Sequence, residues 1–152
     1  MKLSLTAKLL KISLYTIFVG GVILLATLPF MLERYTSFLF RLDSLNPDYR
    51  GFIIPFLTVI GIIALWIVAE LIGTVSTISS DPFVSQNVFA LRRMGIAGLI
   101  AALLFFAKCF YYITPLTLAC GFLLLICSMG AFTLSDLFRR AVAYKEENEL
   151  TI

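Results

Sequence analysis

The sequence contains no histidine, which removes the commonest metal ligand and the commonest acid–base group near neutral pH. It has three cysteines, Cys109, Cys120 and Cys127, none in a C-x-x-C pair and all inside apolar runs. There cysteine behaves as a small buried hydrophobe, and thiol-oxidase chemistry, which needs paired reactive cysteines, is not expected. Charge is scarce: 14% of residues are Asp, Glu, Lys or Arg, with a net charge of +3. The basic residues are dispersed, so direct nucleic-acid binding is not expected. No glycine-rich phosphate loop is present, and no nucleophile has a base beside it. These absences argue against an enzyme and against a metal or cofactor site.

What the sequence has is hydrophobicity, at 61% of 152 residues, where a soluble domain is about 45–50% apolar. At about 20 residues per span, the length accommodates four crossings with short connections. The apolar runs place them near 12–32, 52–75, 95–113 and 116–137. The expected fold is an all-α membrane protein, a four-transmembrane-helix bundle formed by one domain over 1–152. The first run follows Lys2, Lys8 and Lys11 but is longer than a signal-peptide core and lacks an A-x-A site, so it reads as an uncleaved span. Gly95, Gly98 and Ala102 share one face of the third span, with Ala97 and Ala101 in a small-x-x-x-small pair, a pattern that lets helix backbones approach.

Orientation follows from the lysines and arginines of the short connections. Eight fall on one side: Lys2, Lys8, Lys11, Arg92, Arg93, Arg139, Arg140 and Lys145. Three, Arg34, Arg41 and Arg50, fall on the other. The expected placement is the cell membrane with both termini cytoplasmic. The first loop then faces outward and, rich in aromatics, rests on the membrane surface.

Two ionisable residues lie inside the spans, Glu70 and Lys108. Glu70 has two readings. It pairs with Lys8, Lys11, Arg92 or Arg93 near the interface, or it couples ion movement in a transporter. Lys108 is expected to snorkel toward the outer surface. Asp136 has Arg139 and Arg140 one turn on, a local helix pair.

The polar interval between spans two and three is patterned. Asp81 suits a helix N-cap and Pro82 the first helical position. Val84, Val88 and Leu91 recur on one side, widened by Phe83 and Phe89, with Ser85, Gln86, Asn87, Arg92 and Arg93 opposite. The pattern predicts a short cytoplasmic amphipathic helix leading into span three. The last span is expected to continue as a helical C-terminal tail that turns acidic at Glu146 and Glu147.

Asp81-Pro82-Phe83-Val84, Asn87 and Leu91-Arg92-Arg93-Met94-Gly95 resemble a motif of the bacterial membrane family known as domain of unknown function 2975. Glu147-Asn148-Glu149-Leu150-Thr151-Ile152 is similar to that family's closing motif, with Glu149 where aspartate is expected; Phe138, Ala141 and Lys145-Glu146 lead into it. The resemblance implies four spans over nearly the whole chain. Members are often encoded beside a small helix-turn-helix regulator, which implies such a transcription regulator as partner. The implied partner-binding residues are Asp81, Pro82, Phe83, Asn87, Arg92, Arg93, Glu147, Asn148, Leu150, Thr151 and Ile152. The leading expectation is therefore a non-enzymatic membrane platform in the lipid bilayer that binds or restrains that regulator. The alternative is a small ion-coupled transporter or exporter using Glu70, working as an oligomer.

Overall fold

Four apolar runs become four helices: α1 (Leu5–Leu39), α2 (Pro47–Ile78), α3 (Ser85–Cys109) and α4 (Pro115–Glu149). The structure, a computed structural model, describes residues 5–39, 47–78, 84–111 and 113–149. All four helices are long and apolar enough to cross a membrane, and no strand occurs among the described residues. Helices suit a lipid solvent because each satisfies its own backbone hydrogen bonds. The hydroxyls are satisfied in the same way: Thr16, Thr58, Thr74 and Thr133 each donate to the carbonyl one turn back, at 2.8–3.0 Å. Pro29 and Pro55 lie within α1 and α2 without ending them.

The helices pack in chain order, α1 on α2, α2 on α3 and α3 on α4, with α3 and α4 making the most extensive contact. Among the described residues α1 does not close on α4. The α3–α4 seam is made of small and hydroxyl residues. Ala90, Met94, Ala97, Ala101 and Ala102 of α3 are buried, as are Thr117, Ser128 and Ser135 of α4. Ser128 Oγ donates to the Gly95 carbonyl at 2.6 Å, and Ser135 Oγ donates to the Val88 carbonyl at 2.9 Å. The two pairs are seven residues apart on each helix, which sets an antiparallel register. Lipid tails are as apolar as leucine, so close backbone packing and hydroxyl bonds, rather than hydrophobicity, hold such a seam. A Cβ added at Gly98 would lie 3.4 Å from Ser128 Cβ and 3.7 Å from its Cα, so the helices meet closely there.

Helix α2 is fastened to α3 near both ends. At one end Glu70 pairs with Arg93; at the other, Phe56 meets Phe105 edge-on at 5.3 Å and Phe52 meets Tyr111 at 5.2 Å. From the Glu70–Arg93 pair to the Phe56–Phe105 contact is about 21 Å along α2 and about 18 Å along α3, so the spacings are similar. Helix α1 packs on α2 through reciprocal notches: Leu65 lies over Gly21, and Leu25 over Gly61. An apolar groove of about 840 Å³ runs between these two helices, lined by residues such as Ile17, Gly20, Leu57 and Ala64. The large apolar side chains exposed along α1, among them Ile12, Val19, Leu24 and Phe30, suit a lipid-facing helix.

The polar interval before span three departs from its expected form. No separate surface helix precedes the span among the described residues: α3 begins at Ser85, and Val84 is the extended N-cap residue, with φ −120° and ψ 140°. The N-cap of α3 is thus Val84, and the expected cap residues Asp81 and Pro82 lie outside the described residues. From Ser85 the helix runs unbroken past Arg92 and Arg93 to Cys109. Helix α4 continues beyond its apolar run to Glu149, as a helical tail.

Candidate functional site

The reciprocal α1–α2 contacts, the α2–α3 fastenings and the α3–α4 register all describe antiparallel neighbours. They bring the start of α1, the end of α2, the start of α3 and the end of α4 to one end of the molecule. That end carries Lys8, Lys11, Arg92, Arg93, Arg139, Arg140 and Lys145. By the seam register, Ser85 stands opposite Phe138. Residues 139–149 of α4 therefore extend about 16 Å past the start of α3. A helix this short is marginal alone, but here it is propagated from a long span. Arg139, Arg140, Tyr144, Glu146, Glu147 and Asn148 are exposed on it. Asp136 and Arg139 approach to 3.8 Å as a solvated pair, an arrangement that contributes little stability.

Beside this arm is the Glu70–Arg93 pair. Arg93 Nε lies 3.0 Å from Glu70 Oε1, and Nη2 donates to Oε2 at 3.0 Å. The planar guanidinium matches both carboxylate oxygens at once, a geometry lysine does not offer. The Glu70 side chain is 18% exposed and that of Arg93 51%, which fits a membrane boundary where the arginine head reaches water.

Lys108 marks the opposite end. It occupies the last turn of α3, one residue from the helix end, and is 9% exposed. Its stem does not snorkel into open solvent, as expected from sequence. Instead Nζ donates to Thr117 Oγ1 at 3.1 Å and lies 5.4 Å from the centre of the Phe56 ring. Thr117 belongs to a cap: the Thr114 and Thr117 hydroxyls are 2.6 Å apart, and Thr117 N–H donates to Thr114 Oγ1 at 3.3 Å. Thr114 is thus the N-cap of α4, with Pro115 at the first helical position, where its missing N–H costs nothing. A contact with the Phe56 ring stabilises the ammonium by about 0.5–2 kcal/mol, less than the several kcal/mol that burial of an ion costs.

The structure treats the sequence-predicted residues differently. Arg92 and Arg93 are exposed at the basic end. Glu147 and Asn148 are exposed on the arm. Asn87, expected on the polar side of a surface helix, is 1% exposed, while Phe89, expected on its apolar, membrane-facing side, is 60% exposed. The expected face of α3 is rotated at this point, because the small-residue stripe Ala90, Met94, Ala97 and Ala101 faces α4 and carries Asn87 inward with it. Asn87 therefore does not offer its side chain to a partner. Asp81, Pro82, Phe83, Leu150, Thr151 and Ile152 lie outside the described residues. Sequence reasoning missed Thr114, Thr117 and Phe56 around Lys108. The signal was present in Thr114-Pro115-Leu116-Thr117, which carries the spacing of a helix cap. It also missed Ser128 and Ser135, whose spacing of seven matches a buried helix stripe. Among the described residues, no cluster of Cys, Asp and Glu has the geometry to hold a metal ion.

Four long apolar helices, lipid-suited outer surfaces and charge gathered at the helix ends define a multi-pass helical membrane protein. The family model described as Protein of unknown function (DUF2975) matches residues 40–152, and the chain belongs to that family. The match begins where α1 ends, so it covers less of the chain than the sequence motifs implied. No curated protein and no solved structure matches the chain.

Proposed function

We propose that this protein is a non-enzymatic membrane platform whose basic end faces the cytoplasm and binds a small helix-turn-helix regulator. The observation that carries this reading is the helical arm of α4, which projects past the start of α3 and exposes Arg139, Arg140, Tyr144, Glu146 and Glu147 beside Arg92. An excess of lysine and arginine at this end favours the cytoplasmic side. A mixed-charge arm with an exposed tyrosine suits a protein surface, where charge complementarity selects the partner and aromatic residues anchor it. The family's association with such regulators supports the choice of partner. The transporter reading has less support, since both oxygens of Glu70 are engaged by Arg93.

The test is binding of the purified regulator to the full chain in lipid nanodiscs. The expected result is saturable binding that weakens about tenfold or more, equivalent to about 1.4 kcal/mol, in Arg139→Glu/Arg140→Glu and in Tyr144→Ala. Absence of binding by the wild type contradicts the platform reading. Unchanged binding by both variants removes the arm from the interface.

A further inference from the structure

We propose that one face of α4 at the basic end binds the headgroup of an aminophospholipid, phosphatidylethanolamine, through Asp136 and Arg140. A recess of about 390 Å³ runs along this face. Met129, Phe132 and Leu137 line it with apolar surface, and Thr133, Asp136 and Arg140 add polar groups. The recess therefore offers an anion, a cation and an apolar wall, which complement the ammonium, the phosphate and the acyl chain of a zwitterionic lipid.

Its depth places these features in the order a lipid needs. Arg93 and Lys108 are about 22 Å apart along α3, and a hydrocarbon layer is about 30 Å thick. A layer centred between them ends about 4 Å beyond Arg93, near residue 90. Across the seam, where Ser128 meets Gly95 and Ser135 meets Val88, that boundary falls near Thr133. Met129 and Phe132 are then level with the acyl chains, and Asp136 and Arg140 with the headgroups.

The donors and acceptors fit the two ends of the headgroup. Asp136 and Arg140 are both exposed and lie one helical turn apart on the same face. Side chains on a helix lean toward its N-terminus, which directs the Arg140 guanidinium back toward the boundary, where the phosphodiester lies. Its planar set of N–H donors matches phosphate oxygens. An ammonium brings three N–H donors. The Asp136 carboxylate has room to accept from it, since its contact with Arg139 is long, at 3.8 Å, and solvated. The Thr133 hydroxyl donates to the Met129 carbonyl at 2.9 Å, and its oxygen still accepts a donor. A choline headgroup has no N–H and a glycerol headgroup has no cation, so Asp136 and Thr133 together select ethanolamine.

The test equilibrates the full chain in nanodiscs containing phosphatidylethanolamine, phosphatidylcholine and phosphatidylglycerol in equal amounts. Native mass spectrometry of the released protein reads the retained lipid. The wild type is expected to retain phosphatidylethanolamine about tenfold over phosphatidylcholine, the scale of a charge-assisted hydrogen bond. Asp136→Asn should hold these two lipids equally, and Arg140→Gln should lose both. Asp136→Glu and the control outside the recess, Arg139→Gln, should keep the wild-type preference. Retention that is unchanged in Asp136→Asn and Arg140→Gln overturns the proposal. So does preferential retention of phosphatidylglycerol, which would make the face a general anion site. A doubled mass with no retained lipid also overturns it, since the recess would then be an interface between two copies of the chain.

Discussion

Glu70 illustrates how a single residue changes meaning with its neighbour. Alone within an apolar run, a carboxylate reads as a coupling group; held by both nitrogens of a guanidinium, it reads as a fastening between α2 and α3. Because Arg93 is half exposed, solvent screens the pair and its net contribution is modest. Glu70→Gln and Arg93→Gln should each lower stability by about 1 kcal/mol, and the double variant should lose no more than the worse single, since both remove one interaction. Thermal melts of the four proteins in one detergent check this. Additive losses would show that the two residues act separately. Asn87 shows the opposite shift. Its surroundings of valine and leucine suggest a polar outer face, yet it lies on the inward stripe and is 1% exposed. In lipid, small side chains decide which face is buried, and a reading weighted by hydrophobicity turns the helix the wrong way.

At the scale of the helices, run length and composition made the four long apolar helices legible, because a crossing demands about 20 apolar residues. The start of α3 was not legible. Asn87, Arg92 and Arg93 read as the polar side of a short surface helix leading into the span; arginine at a membrane boundary extends its head to water without breaking the helix. The Lys108 cluster was hidden for another reason: it joins α2, α3 and α4, and no local pattern reports a contact between Phe56 and Lys108. The glycine and alanine stripe of span three was legible, and it defines the closest seam. Gly98→Ala should be tolerated, since its Cβ would make ordinary contact at 3.4 Å from Ser128 Cβ and alanine favours a helix by about 1 kcal/mol. Gly98→Leu would drive a branched side chain into the α4 backbone and should cost about 3 kcal/mol or more, near the upper end of overpacking. Expression yield and melting midpoint separate the two. Equal behaviour of both variants would mean that α3 and α4 do not meet at Gly98.

At the scale of the whole molecule, the two ends differ. One gathers most of the basic residues and the α4 arm; the other holds an aromatic-lined lysine against a helix cap. Among the described residues helix α1 touches only α2, and it lies outside the family match, while the matched portion, residues 40–152, includes the α3–α4 hairpin and the whole arm. The proposed partner surface at the basic end lies within the matched portion. The direct measurement is site-specific photocrosslinking in intact cells, with the crosslinking residue at Tyr144 on the arm and, separately, at Tyr111 on the opposite end. The predicted result is a covalent adduct with the small helix-turn-helix regulator from Tyr144 and none from Tyr111. An adduct from Tyr111 alone, or no regulator adduct from Tyr144, would contradict the platform assignment.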